Sequence, residues 1–240
     1  MHSELCTTCI AACEDKYVFK KQTDSKTVRQ LFIKTDKKFI PELPRFAFEG
    51  RIFVVQSVSE AERVVRALRR SPILGIDPET RPTFRKGHNH KVALLQVATE
   101  DMCFLFRLNE MGFPTCLSQL LADKEVLKVG LSLKDDFLML KRRDPSFVPD
   151  GYIDLQPYAK AMGIEDMSLQ KLYANVFHMR ISKSAQLSNW EADVLTESQK
   201  VYAATDAYTC IQLYKELKHI KESNNFELVA PAPQQPVTAE

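Results

Sequence analysis

The sequence predicts an α/β fold in which a mixed sheet, built from three antiparallel strands and further parallel strands, is flanked by helices. Three observations lead there. Apolar strand-like segments follow one another closely at 73–77, 92–98 and 103–106. After them strand-like and helix-like periods alternate, the pattern of parallel strands joined by helical crossovers. Two capping boxes, Ser57 with Glu60 and Thr196 with Gln199, mark the starts of amphipathic helices.

Each element has a local reason. Residues 52–55 form a short apolar run, and the helix begun at Ser57 carries Ala61, Val64, Val65 and Leu68 at helical spacing. The three strands follow, then a helix at 117–122 and a fourth strand of the set at 126–129. Helices are expected over 134–142, 155–162 and 168–177, and the last runs from Thr196 to about 219. The later strand–helix–strand connections should be right-handed. A ribonuclease H-like architecture fits this order, as do other α/β arrangements. Residues 1–36 lack a clear period and are expected to be a weakly structured extension to a folded domain at 37–222. Residues 223–240 are rich in Pro, Ala and Gln and are expected to be a disordered tail.

Bulk composition narrows the class without choosing a partner. The 240 residues are 45% hydrophobic and 27% charged, enough to bury an ordinary core. With 33 basic and 31 acidic residues the formal charge is +2, which neither demands nor excludes nucleic acid. No apolar run reaches the roughly 20 residues that span a bilayer, and the first residues lack a secretory leader's pattern, so a cytoplasmic protein with no membrane partner is expected. Cys103 and Cys210 lie in apolar segments and read as reduced, buried thiols. Cys6, Cys9 and Cys13 cluster near the start but offer three ligands where a structural zinc site wants four.

Three acidic features stand out. In Gly75-Ile76-Asp77-Pro78-Glu79 the acids at i and i+2 of a strand share one face. Their mutual repulsion is costly unless a cation lies between them. The second feature is Asp135-Asp136, in the first turn of the helix that follows an apolar strand ending at Gly130. Acids there are also favoured by the helix dipole alone. The third is Tyr202 with Asp206, one turn apart on the last helix, next to the small residues Ala203, Ala204 and Ala207. Taken singly, each segment has an ordinary structural reading: a strand running into a turn, an acidic helix start, a half-buried tyrosine.

Taken together and in this order, they resemble the DEDD superfamily of 3′–5′ exonucleases. The match is to the tyrosine-bearing subgroup that includes ribonuclease D and the Werner syndrome exonuclease domain. The resemblance also covers Val92-Ala93-Leu94-Leu95-Gln96 and Ser188-Asn189-Trp190-Glu191, and it spans roughly residues 37–219. It implies a 3′–5′ exonuclease that takes DNA or RNA with a free 3′ end and releases nucleoside 5′-monophosphates. Asp77, Glu79, Asp136 and Asp206 would be the metal ligands and Tyr202 the fifth catalytic residue. Spacing in relatives favours Asp136, with Asp135 as the fallback. An all-carboxylate set suits two Mg²⁺ or Mn²⁺ ions rather than zinc. By the same resemblance the ions would lie about 4 Å apart across the scissile phosphate, with Asp77 bridging them. Glu79 and Asp206 would complete the ion that activates the attacking water, and Asp136 would support the leaving-group ion. Tyr202 would orient the water, since a phenol titrating near 10 is a poor base at neutral pH.

Substrate contacts are less marked. Leu94, Gln96 and Trp190 are candidate substrate-side or structural residues, with core packing the favoured role for Trp190. Between the first acids and the next strand, Phe84, Arg85 and Lys86 could stack a base and follow a phosphate backbone, or belong to a solvated hairpin loop. Lys183, Lys200 and Lys215 are too dispersed to read as a patch. Two other readings stay open: a catalytically silent nucleic-acid-binding protein of the same fold, and a nuclease that cuts internally.

Overall fold

The computed structural model describes residues 28–83 and 90–230. Its strands are β1 (Arg29–Phe32), β2 (Arg51–Val55), β3 (Ile73–Thr80), β4 (Val92–Ala98), β5 (Met102–Arg107), β6 (Leu127–Gly130), β7 (Tyr152–Asp154) and β8 (Phe226–Val229). Its helices are α1 (Val58–Leu68), α2 (Leu108–Met111), α3 (Thr115–Ala122), α4 (Leu133–Lys141), α5 (Leu155–Lys160), α6 (Leu169–Phe177) and α7 (Glu197–Ser223). Among the described residues no helix is long and apolar enough to cross a membrane.

Six strands form one mixed sheet in the order β2-β5-β4-β3-β6-β7. The three successive strands β3, β4 and β5 pair antiparallel, while β2 with β5, β3 with β6 and β6 with β7 pair parallel. Side chains alternate across this sheet and divide the core in two. Leu94, Ala98, Cys103, Leu105 and Val129 join the cluster beneath α5, α6 and α7. Leu74, Ile76, Leu95, Val97, Phe104 and Phe106 join the cluster beneath α1, α3 and α4. The molecule is therefore an α/β/α arrangement of the ribonuclease H-like kind. Both expected capping boxes form: Ser57 with Glu60 starts α1, and Thr196 with Gln199 starts α7.

Two expectations need correcting. Arg29–Phe32 and Phe226–Val229 fall inside the segments read as a weakly structured extension and a disordered tail, yet they pair as a parallel two-stranded sheet. Leu31 is fully buried, the Phe32 amide donates to Asn175 Oδ1 at 2.8 Å, and Arg29 pairs with Glu216. Each strand has four residues, too few to show a period, and each is held by a partner remote in sequence. The last helix also continues to Ser223, where Asn224 closes it in the left-handed region at φ 50°. The Cys6, Cys9, Cys13 cluster lies outside the described residues.

The most confined contact is between α7 and β3. A Cβ added at Gly75 would lie 1.9 Å from the Ala207 carbonyl oxygen, so only glycine lets the helix rest this low on the sheet. Gly75→Ala is expected to cost about 3 kcal/mol, measured as a lower urea midpoint with an unchanged m-value. A loss under about 0.5 kcal/mol would show that α7 can ride higher without penalty.

Candidate active site

The register of β3 decides where its acids point. Gly75, Asp77 and Glu79 alternate onto the face covered by α7, while Leu74 and Ile76 enter the opposite core. β6 stops pairing with β3 at Gly75, so beyond that residue β3 has an open edge on that side. Proline is tolerated at such an edge, which accommodates Pro78. The α7 residue after Asp206 is the Ala207 that rests on Gly75, and Tyr202 stands one turn earlier. The helix thus lowers its carboxylate onto the strand's pair, and oxygens of Asp77, Glu79 and Asp206 all lie within 4.8 Å of one another.

Asp136 comes from the first turn of α4. It is half-buried and its charge acts on both Asp77 and Glu79, whereas Asp135 is exposed. The structure therefore gathers Asp77, Glu79, Asp206 and Tyr202, brings Asp136 near enough for its charge to act on the strand's pair, and turns Asp135 outward.

Crowding sets the electrostatics. Burial first, then the charges of Glu79, Asp206 and Asp136, holds the Asp77 carboxyl well above the usual carboxylate range. Burial and the charges of Asp206 and Asp136 push Glu79 up to about 9. Burial, Asp154 and Asp135 push Asp136 up to about 8. Burial raises Asp206 to about 7 against the opposing effects of the Tyr202 phenol and Lys183. Burial and the neighbouring carboxylates drive the Tyr202 phenol above its ordinary value.

These residues fit a divalent cation. Asp206 Oδ1 is buried and has no hydrogen-bond partner among the described residues, an arrangement that proteins rarely leave without a compensating ligand. The donors are carboxylate oxygens, the set preferred by Mg²⁺ and Mn²⁺. Cys103 and Cys210 sit close enough to feel Asp77, but burial keeps both thiols protonated, so neither offers a thiolate.

Other expected residues fall differently. Leu94 and Gln96 are fully buried. Leu94 packs in the core beneath α7, and Gln96, opposite Asp77 in the β3–β4 register, reaches Asp77 Oδ2 at 3.5 Å through Nε2. Trp190 is also fully buried and packs against Tyr202, with ring centroids 5.9 Å apart. Phe84, Arg85 and Lys86 lie outside the described residues. The three dispersed lysines do not form a patch: Lys200 pairs with Glu197 and Lys215 with Glu100.

Several residues around the site carry no assigned role in the sequence. Lys183 lines a small cleft with Tyr202, Asp206 and Gln170, from a loop that carries no period. Glu191 pairs with both Arg81 and His90, at 3.3 and 3.1 Å, tying the β3–β4 connection to the segment before α7. Buried Arg107 bonds the Ala192 and Asp193 carbonyls in the same segment. Asp154, at the end of β7, acts on Asp136.

A ribonuclease H-like sheet bearing a carboxylate cluster between a strand and a helix defines a class of nucleic-acid-processing hydrolases. The comparisons make the assignment sharper. A family model described as 3′-5′ exonuclease matches residues 52–222, and the chain belongs to that family, within the DEDD superfamily. It is 31% identical over 191 residues to the mouse bifunctional 3′-5′ exonuclease/ATP-dependent helicase WRN, covering 75% of this chain and 14% of that protein. It is 30% identical over 198 residues to an Arabidopsis thaliana 3′-5′ exonuclease, covering 75% of this chain and 68% of that one. The Aedes aegypti Nibbler EXO domain shares the fold with a TM-score of 0.67 and 22% identity, over 75% of this chain and 92% of that one. The Trypanosoma brucei RNase D complex with RNA U12 superposes with a TM-score of 0.63 and 17% identity, over 80% and 77%.

The raised carboxylates predict an inverted pH dependence for the metal-free protein. Between the ordinary carboxylate value near 4 and the folded values of about 7, 8 and 9 for Asp206, Asp136 and Glu79, the folded chain holds more protons than the unfolded one. Stability is therefore greatest below this window and falls as pH rises through it. At pH 8 with a chelator, Asp206→Asn should raise the melting temperature by roughly 2–4 °C. A wild-type melting temperature that climbs from pH 5 to 9 without metal would contradict the crowding.

Proposed function

We propose that this chain removes nucleotides from the 3′ end of a nucleic acid, hydrolysing phosphodiester bonds and releasing nucleoside 5′-monophosphates. The observation that supports it most is the meeting of Asp77, Glu79 and Asp206 oxygens within 4.8 Å, with a buried Asp206 oxygen left unpartnered. Asp77, Glu79, Asp136 and Asp206 would hold two divalent ions, Mg²⁺ or Mn²⁺. When bound, the ions would polarise the phosphate and lower the pKa of the attacking water.

The remaining work falls to the protein. Asp206 and Glu79 would hold the ion that activates the attacking water, and Asp136, from another element, would help to hold the ion at the departing 3′ oxygen. Tyr202 keeps its proton, because burial and neighbouring carboxylates disfavour the phenolate. It therefore acts as a donor that orients the water rather than as a base. Lys183 brings a positive charge to the Asp206 side of the cleft, suited to an incoming phosphate. That a fold neighbour was solved with RNA makes RNA a substrate to test alongside DNA.

The test uses 3′- and 5′-labelled single-stranded and recessed DNA and RNA with Mg²⁺ or Mn²⁺. A metal-dependent ladder shortening from the 3′ end is expected, abolished in Asp77→Ala/Glu79→Ala. Tyr202→Phe should lower kcat roughly 100-fold while leaving Mn²⁺ affinity within about twofold. Intact substrates with both metals would favour a silent nucleic-acid-binding protein, and short internal fragments would favour an endonuclease. A Tyr202→Phe variant with full activity would remove tyrosine from the reaction.

A further inference from the structure

The turn that starts α4 is unusual. The chain leaves β6 at Gly130, and two residues later Ser132 adopts the left-handed region, with φ 68° and ψ 28°. That conformation is normally left to glycine, or to Asn and Asp. Ser132 is the N-cap residue of α4, yet its hydroxyl caps nothing and lies 3.4 Å from the Asp135 carboxylate. The turn is held from outside instead. β7 runs parallel to β6 with Asp154 opposite Gly130. From there Asp154 Oδ1 accepts the Ser132 amide at 2.9 Å and, as the cap of α5, the Gln156 amide at 3.0 Å. The Ser132 carbonyl in turn accepts the amides of Asp135 and Asp136 at 3.1 and 3.4 Å. Gly130 leaves little slack behind it, since a Cβ there would meet the Ile76 carbonyl oxygen at 2.6 Å. One carboxylate oxygen thus governs the backbone from which Asp136 projects.

We propose that Asp154 is a positioning residue for the hydrolysis described above: its Oδ1 pins the left-handed turn at Ser132, and the turn sets where Asp136 enters the carboxylate site. This rests on the metal-dependent nuclease reading for its consequence, though not for its structure. The role requires an acceptor at Oδ1 and not a negative charge, which separates it from direct metal ligation. Asparagine can supply that acceptor and alanine cannot.

The experiment compares Asp154→Asn, Asp154→Ala and Asp154→Ala/Ser132→Gly with wild type by two readouts. Amide hydrogen exchange of the metal-free protein reads the turn without any need for activity. Asp154→Ala should speed exchange at Ser132, Asp135 and Asp136 at least tenfold, and Asp154→Asn should leave it near wild type. Mn²⁺-dependent exonuclease assays should show kcat reduced roughly 10–100-fold in Asp154→Ala, with KM little changed and Asp154→Asn near wild type. Adding Ser132→Gly should restore part of the loss, because glycine adopts the turn unaided. Asp154→Asn failing as badly as Asp154→Ala would assign the residue a charge role and overturn the proposal. Faster exchange confined to Gln156 would reduce Asp154 to the cap of α5 and overturn it as well. A wild type inert with both metals would defeat the nuclease reading, and the exchange result would still decide the pin.

Discussion

The close approach of α7 to β3 is the contact on which the rest of this molecule depends. At Gly75 the helix backbone comes so near that a single methyl group would collide with the Ala207 carbonyl. From that point β3 carries Asp77 and Glu79 forward on the same face, and α7 carries Asp206 and Tyr202 on the facing side. Two segments more than 120 residues apart in sequence bring their carboxylate oxygens within 4.8 Å of one another because one position has no side chain. The small residues Ala203, Ala204 and Ala207 on α7 are all fully buried, and their size extends the same closeness along the helix.

Such closeness has an electrostatic cost. Three carboxylates share a few ångströms, with a fourth acting on two of them, and burial weakens the screening that water would provide. Within the protein the cost is offset only in part: Lys183 and the Tyr202 phenol favour the ionised form of Asp206, and Gln96 donates to Asp77. A divalent cation would supply what these groups do not. The surrounding framework is densely tied. Arg107 fastens the segment before α7 to the sheet, Trp190 packs against Tyr202, and Glu191 joins Arg81 and His90 across the rim. The turn at Ser132 belongs to this framework and carries Asp136, which arrives from the helix on the opposite side of the sheet.

Much of this was legible in the sequence because it is written in short, local patterns. The strand alternation of β3–β5, the capping boxes at Ser57 and Thr196, and the Tyr202–Asp206 spacing each need fewer than a dozen residues to be seen. Asp77 and Glu79 were readable as a pair because a strand's period of two puts them on one face. What escaped depends on partners far along the chain. β1 and β8 pair with each other from opposite ends of the described chain, Lys183 sits in an aperiodic loop, and Asp154 meets the Ser132 amide only because the β6–β7 register sets it opposite Gly130. Leu94 and Gln96 lie beside the acids through the β3–β4 register, and their full burial follows from α7 covering β4.

The central claim is that this crowding exists to hold metal, and diffraction from crystals grown with Mn²⁺ at pH 8 tests it most directly. An anomalous difference map should show Mn²⁺ about 2 Å from oxygens of Asp77, Glu79 and Asp206, with a second peak on the Asp136 side. A map with no peak at these carboxylates, at Mn²⁺ concentrations in the millimolar range, would contradict it.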